Sequence, residues 1–596
     1  MTKIIKYLYN WVVRESHFQN DNPIEAGNMS EKIKIISDLI HGYIRITKDV
    51  GSIIDTESFQ RLKYISQTTA YHLYPSANHT RFEHSLGVMK LADDFFENLE
   101  SQFVENYMEE NIEKDIINKK MKNNYYHLKY ASLLHDVGHA PLSHIGEEFY
   151  DIEDIKTKIN GQLSKLRLNE LDFKKLVKGS NHEWMGVLVI ICNFHEKLTE
   201  IFSGNSLEID YEYIARIITG NKYEDSETFD LWDRDLIISL LNSETIDIDR
   251  LDYLMRDNFM SGMVGPNIDI ERLLYSLVIN EKKQLGFSRV GVSAIQKVIE
   301  CRDSIYLWFC NHHTVVYTDY LLHECIEHMS ELYKYKISDD GPPEFINKER
   351  LKDNLDKFRQ FYDDDSEQEN TLKLKNGLDA DNRKNCLTIL KEINYLPYKE
   401  AINKNEYFSV EAILERKTTD NEIYTQINKI KNLVKKHELS KHTERIINQL
   451  INRNFLKPIW KTLSDYIQFL EKNFTESDRT QIIKYITENV ENRRKIVKII
   501  RKKANCKVGE VFLIVKKNKF YFLPQLANIY ICSYDMNGKE TSIPIKDILP
   551  QKDYKAMFNE VAFYLYCKEG KEKEVHDEFI SLMRVYKKIN RIYKEI

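Results

Sequence analysis

The sequence predicts a mainly α-helical protein with a small α+β unit at its C-terminal end. Three observations point there. Only 20 Gly and 11 Pro occur in 596 residues, which leaves room for long helices. Apolar residues recur three and four apart through FEHSLGVMKLADDFFENL (82–99) and EWMGVLVIICNFHEKL (183–198), the spacing of one helix face. Past residue 504 the period changes to that of short strands separated by turn residues.

The elements follow in chain order. Residues 1–37 read as an N-terminal extension. Its apolar start carries Lys3, Lys6, Arg14 and Glu15 and no small-residue cleavage site, so an amphipathic helix is expected rather than a signal peptide. Residues 38–335 form a helical body. Residues 336–385, with ISDDGPPEF and FYDDDSEQEN, are polar, acidic and turn-rich, an insertion or linker. Helical patterns resume over 386–503. In 504–596, GEVFLIVKKNKFYFLP (509–524) reads as strands about a turn. NIYICSYDMNGKETSIPI (528–545) carries the Asn-Gly of a hairpin, VAFYLYCKEG (561–570) reads as a strand, and EKEVHDEFISLMRVYKKI (572–589) as a helix.

Composition narrows the classes. The chain is 42% hydrophobic and 30% charged, as globular proteins are, and its net charge of −6 gives no general basic field for nucleic acid or membrane. No run of 18 apolar residues exists, so no membrane partner is expected. Eight scattered cysteines without a CxxC pair fit reduced thiols in a cytoplasmic protein. ENRRKIVKIIRKKANCK (491–507) holds eight Lys or Arg. An amphipathic helix with a solvated basic face is favoured there over a nucleic-acid contact.

The chemistry concentrates in four segments. RFEHSLG supplies Arg81 and His84. LLHDVGHAPLSH supplies His135, Asp136, His139 and His144. NHEW supplies His182 and Glu183. IDIDRLDYLMRD supplies Asp247, Asp249, Arg250, Asp252, Tyr253, Arg256 and Asp257. A lone histidine on an apolar face is usually packed against a backbone carbonyl, and DRLDYLMRD alone could be a helix with surface ion pairs. Four such segments are harder to dismiss, because each adds a buried-charge cost that a shared site would offset. Imidazole and carboxylate suit Mn, Fe, Ni, Zn or, with more oxygen, Mg. Adjacent His135 and Asp136 reach one ion only at a shared helix edge. His139, four residues on, shares the face of His135. Gly138 and Pro141 would end or bend the helix and leave His144 near the same cavity.

The order His84, His135-Asp136, Asp249 resembles the HD superfamily of metal-dependent phosphohydrolases. FQRLKYI, ANHTRFEHSLGV, LLHDVGHAPLSH, NHEW and IDIDRLDYLMRD are similar to the deoxynucleoside triphosphate triphosphohydrolases, in the allosteric, oligomeric branch. The resemblance covers about residues 32–335 and 500–590. The branch's sterile-alpha-motif domain does not fit in residues 1–37. The resemblance implies an HD-domain helical core. It implies a divalent metal (Mg, Mn, Fe, Ni or Zn) on His84, His135, Asp136 and Asp249. Catalytic groups would be His139, His144, Glu147 and His182, with Glu147 one methylene longer than the family's Asp. Arg81, Arg250, Tyr253 and Arg302 fall where phosphates are contacted, with Arg250 replacing a Lys. Gln67 and Asp257 fall where the 3′-hydroxyl is read. Thr68 replaces a Leu beside the sugar's 2′ position, and Cys310 replaces a Tyr that packs on the sugar. Lys34, Asp55, Gln60, Lys63 and Phe82 align with activator-binding positions at subunit contacts. There Lys63 replaces a guanine-reading Arg.

The resemblance thus implies hydrolysis of a deoxynucleoside triphosphate to deoxynucleoside and triphosphate, a nucleotide activator, and a homo-oligomer, dimer or tetramer. Nucleotide depletion in phage defence is the implied physiological role. Two rivals stand beside this reading. One is an HD phosphohydrolase acting on a cyclic or signalling nucleotide. The other is a catalytically weak nucleotide- or nucleic-acid-binding regulator, against which three extra imidazoles argue.

Overall fold

Thr80 and Glu83 start the helix that carries the first expected ligand. Their capping box, the Thr-x-x-Glu of TRFE (80–83), satisfies backbone N–H groups at the start of Arg81–Glu109. Such a cap contributes about 1 kcal/mol, and here it also fixes where Arg81 and His84 point. Leu86, Met89, Phe95, Phe96, Leu99 and Phe103 bury one face of this helix, which packs against Lys114–Leu134 and Ile248–Ser261. The structure is a computed structural model. It describes residues 34–223, 231–263, 267–334, 409–415, 418–437, 441–515, 528–534, 540–549 and 563–595.

The protein is mainly helical, with small sheets at its edges and in its C-terminal part. Two short strands where the expected extension meets the helical body were not expected. Lys34–Asp38 and Gly42–Ile46 form an antiparallel hairpin from Lys34↔Ile46 to Asp38↔Gly42. The Asp38 carboxylate accepts from the N–H groups of Ile40 and His41, and Gly42 takes φ +69°, so Asp and Gly make the turn.

The C-terminal strands do not close on themselves. The expected Asn-Gly hairpin is present as Tyr530–Tyr534 against Glu540–Pro544, its turn lying outside the described residues. Leu285–Ser288 from the helical body pairs in parallel with Tyr530–Tyr534, giving a four-stranded sheet with Leu277–Ile279 at its other edge. A second sheet sets Phe563–Cys567 between Val511–Val515 and Lys457–Pro458. The expected helix begins at Glu572. The N-terminal amphipathic helix, the polar stretch 336–385 and KFYFLP (519–524) lie outside the described residues. The basic stretch forms the helix Val490–Lys503, with Ile496 and Ile500 buried. Among the described residues no helix is long and apolar enough to cross a membrane, and Cys192, Cys301, Cys310, Cys325, Cys506, Cys532 and Cys567 are free thiols.

Candidate metal centre and active site

Three helices deliver the expected ligands to one point. His84 comes from the first turn of Arg81–Glu109, His135 and Asp136 from just past the end of Lys114–Leu134, and Asp249 from the first turn of Ile248–Ser261. His84 Nε2 lies 2.9 Å from Asp249 Oδ1, 3.3 Å from His135 Nε2 and 3.6 Å from Asp136 Oδ2. His135 Nε2 lies 3.4 Å from Asp136 Oδ1 and 3.6 Å from Asp249 Oδ1.

The outer nitrogens decide what this cluster wants. His84 Nδ1 faces Asp252 Oδ2 at 2.7 Å, and His135 Nδ1 faces the Ser132 carbonyl at 2.8 Å. Both partners are acceptors, so each Nδ1 carries a proton, and a cation that displaces the inner proton of each ring would meet a lone pair there. Two imidazole lone pairs and two carboxylates then converge, a set that a cation completes. Burial disfavours charge on His84, yet its bonds to Asp249 and Asp252 and the charge of Asp136 push it up to about 10. Burial would raise Asp136 and Asp249, but Arg81, His135 and His139 hold Asp136, and His135 and His84 hold Asp249, below the usual carboxylate range. The residues fit a divalent ion.

Close backbone approach makes this geometry reachable. A Cβ on Gly87 would lie 1.9 Å from Asp252 Oδ1, so only glycine lets the Asp252 helix come near enough to orient His84. A Cβ on Gly138 would lie 2.1 Å from the Gly186 nitrogen and 2.4 Å from the His182 carbonyl, so glycine also sets the approach of the His139 and His182 segments.

The His139 placement corrects one expectation. The helix ends at Leu134, and tighter turns follow: the Val137 N–H donates to Leu134 O and the His139 N–H to Asp136 O. His139 therefore leaves the helical face of His135 and turns toward Glu147. There His139 Nδ1 and His144 Nδ1 lie 2.6 and 3.1 Å from Glu147 Oε1, and His182 Nδ1 lies 2.8 Å from Oε2. The His139 and His182 rings stack with centroids 3.9 Å apart. Two imidazolium charges at that separation would repel by about 4 kcal/mol at an effective dielectric of 20, or about three pKa units. Only one ring can hold the proton. Burial would depress His182, but Glu147 pushes it up to about 9. Burial, Arg81 and His182 together push His139 down to about 4. Glu147 is held well below its usual range by the three histidines, although burial opposes this. His144 remains exposed at the edge of the cluster, its Nδ1 on Glu147.

The residues expected to meet substrate have partners of their own. Arg81 gives three of its five N–H groups to Asp136 Oδ2 (2.9 Å), Ser143 Oγ (3.2 Å) and the Gln67 carbonyl (3.2 Å). Arg250 donates to the Thr245 and Ser243 carbonyls. Burial and Tyr306 hold the Tyr253 hydroxyl well above its ordinary value, against Arg250 and Arg302 nearby. The guanidinium of Arg302 lies over the Tyr306 ring at 4.9 Å. The buried Gln67 side-chain oxygen has no protein partner, and Asp257 Oδ1 lies 2.7 Å from His79 Nε2. The Thr68 hydroxyl accepts from the Ala70 N–H at 3.1 Å, and Cys310 is half-buried.

Residues 81–254 match the HD domain, a span that holds all four ligands and all four members of the histidine–glutamate cluster. The chain thus contains an HD domain. A Dictyostelium discoideum protein named as a deoxynucleoside triphosphate triphosphohydrolase SAMHD1 homolog is 26% identical over 339 residues, 57% of this chain and 57% of that protein. The Gallus gallus deoxynucleoside triphosphate triphosphohydrolase SAMHD1 is 30% identical over 285 residues, 46% of this chain and 39% of that protein. The chain spans about half the length of the curated relatives it matches. A phosphohydrolase of known structure from Bacteroides thetaiotaomicron VPI-5482 shares the fold, with a TM-score of 0.51 at 19% identity over 90% of this chain and 99% of that one.

Of the five residues aligned with activator positions, Lys34 lies in the first strand of the hairpin. Lys34 and Asp55 pair with each other at 2.9 Å, both largely exposed. The Gln60 side chain donates to the Ile54 carbonyl, and the Lys63 ammonium lies 4.6 Å from the centroid of the Phe82 ring. Sequence reasoning missed the outer support of His84. Asp252 takes His41 Nε2 at 2.6 Å and two bonds from Arg256, which in turn holds Asp38 in the hairpin turn. The Asp252–Arg256 pair has the expected helical spacing but is buried, not on the surface.

Proposed function

We propose that this protein hydrolyses deoxynucleoside triphosphates to deoxynucleoside and triphosphate with the help of a divalent metal ion. The reading rests on one observation above all. Asp136 joins the two clusters, 3.4 Å from the ligand nitrogen of His135 and 3.0 Å from His139 Nε2. An ion on the ligands therefore sits beside a histidine–carboxylate group suited to proton transfer. When bound, that ion would polarise the α-phosphoryl oxygen and lower the pKa of a water. Neutral His139 is placed to accept a proton, and protonated His182 or exposed His144 to give one to the leaving 5′ oxygen. Arg81, Arg250 and Arg302 would offset the charge of the triphosphate, and the unpartnered Gln67 oxygen offers an acceptor for a sugar hydroxyl. The similarity to proteins named as triphosphohydrolases supports the substrate class.

Each deoxy- and ribonucleoside triphosphate, incubated with Mg or Mn in 18O-labelled water, tests this by product mass. Attack at the α-phosphorus places the label in triphosphate and none in the nucleoside. Monophosphate with pyrophosphate, or diphosphate with phosphate, would overturn the reading in favour of a different nucleotide reaction.

Nucleotide activation of a dimer or tetramer belongs to the same proposal, supported by the exposed position of Lys34 and Asp55. Phage defence is its physiological corollary, tested by infecting cells with and without the gene. The sugar pocket gives a finer expectation. Thr68 offers a hydroxyl where an apolar fork would leave a 2′-hydroxyl unpartnered, a penalty of roughly 1–3 kcal/mol. Thr68→Leu should sharpen the deoxy-to-ribo ratio of kcat/KM by about tenfold. The comparison belongs in both the native and Cys310→Tyr backgrounds, and an unchanged ratio in both removes residue 68 from the sugar wall.

A further inference from the structure

Two loops that carry site residues are fastened by a side chain from far along the sequence. Asp420, the first residue of the helix Asp420–His437, is buried. Its Oδ2 accepts the Ser66 N–H at 2.9 Å and its Oδ1 accepts the Leu142 N–H at 2.7 Å. Ser66 directly precedes Gln67 and Thr68. Leu142 and Ser143 directly precede His144. Both Leu142 and Ser143 adopt positive φ, +61° and +51°, a conformation that L side chains other than Asn and Asp rarely take. Two such residues in succession store strain that the surroundings must hold. One carboxylate with two lone-pair directions meets both demands: it fixes the strained turn and ties it to the neighbouring loop. The junction is reinforced, since Ser143 Oγ donates to the Ser66 carbonyl at 2.5 Å. Arg61 then links the same distant segment to the turn, donating to the Thr418 carbonyl at 2.8 Å and the His139 carbonyl at 2.9 Å.

We propose that Asp420 is a positioning residue that clamps the Gln67 loop and the His144 turn in mutual register. It touches no reacting atom, and its effect runs through His144 and Gln67. That effect on turnover rests on the proposed reading of those two residues, whereas the clamp itself rests on geometry alone. A further consequence is that the helical segment after residue 409 is part of the working site, although it lies outside the matched span 81–254.

Asp420→Asn tests the clamp. The amide keeps the volume and one acceptor, but its NH2 faces the second backbone N–H, so one loop must be released. Amide exchange over residues 64–70 and 138–145 should speed up by about tenfold or more, with metal content and exchange elsewhere unchanged. Turnover of a deoxynucleoside triphosphate should fall between about tenfold and a hundredfold, and adding the change to a His144→Ala, Gln67→Ala double variant should cost little more than that double variant alone. Asp420→Ala should release both loops. Should it not fold, the Asn variant carries the test. Unchanged exchange in both loops, or a drop in turnover fully additive with the His144→Ala, Gln67→Ala double variant, overturns the proposal. If the wild-type protein hydrolyses no nucleoside triphosphate, the functional reading fails while the exchange measurement still decides the clamp.

Discussion

Alanine at His135 and Asp136 together is expected to strip the protein of its divalent ion and to lower turnover by about three orders of magnitude or more. Only His84 and Asp249 then remain of the converging set. His84, already pushed up to about 10 by its carboxylate neighbours, would take a proton and close on Asp249 as an ion pair, since the two stand 2.9 Å apart. The vacated site thus has a stable alternative, and far-UV helix content at room temperature should persist. The melting temperature should still drop. Asp136 also holds the buried guanidinium of Arg81, and an uncompensated buried charge typically costs about 3–5 kcal/mol. Elemental analysis after dialysis against Mn, with circular dichroism on the same sample, separates the two effects. Stoichiometric metal with wild-type turnover would sink the ligand assignment.

The four ligand candidates are legible in the sequence through the order His84, His135-Asp136, Asp249 and its resemblance to a known superfamily, each lying in a short segment rich in apolar residues. What surrounds them is not. His41 reaches Asp252 across 211 residues, Asp420 reaches Leu142 across 278, and no period or motif in one segment announces its partner in another. The hairpin 34–46 escaped because five-residue strands with adjacent Ile35 and Ile36 do not alternate cleanly; Asp38 and Gly42 were the available signal. The end of the helix at Leu134 escaped for a related reason. Gly138 and Pro141 mark an end further along, but the helix stops at Leu134, ahead of the close passage of Gly138 against Gly186. Likewise the strand Leu285–Ser288 is recognisable only through its partner near residue 531.

Glu147→Gln should lower turnover by about two to four orders of magnitude and should move the basic limb of the pH–rate profile. The wild-type expectation comes first. His182, raised to about 9 by Glu147, keeps its proton until the pH passes that value, so activity that needs this proton fades above about 9. His139, lowered to about 4 by burial, Arg81 and His182, is neutral above that value, so activity that needs a free base fades below about 4. A neutral amide at residue 147 leaves buried His182 with no charge to hold its proton. The basic limb should then move down by about two units or more. Stability follows the same sign. The folded value of His182 lies above its unfolded one, so its contribution is complete below about 6.5 and is lost as pH rises through about 9. Glu147→Gln should therefore flatten the fall of melting temperature between those two values. Glu147→Asp discriminates charge from reach. It restores the carboxylate, one methylene shorter, and should return the basic limb near its wild-type place with a smaller loss of turnover. If the basic limb of Glu147→Gln stays near 9, Glu147 is not what holds the proton, and the division of acid and base between His182 and His139 fails with it.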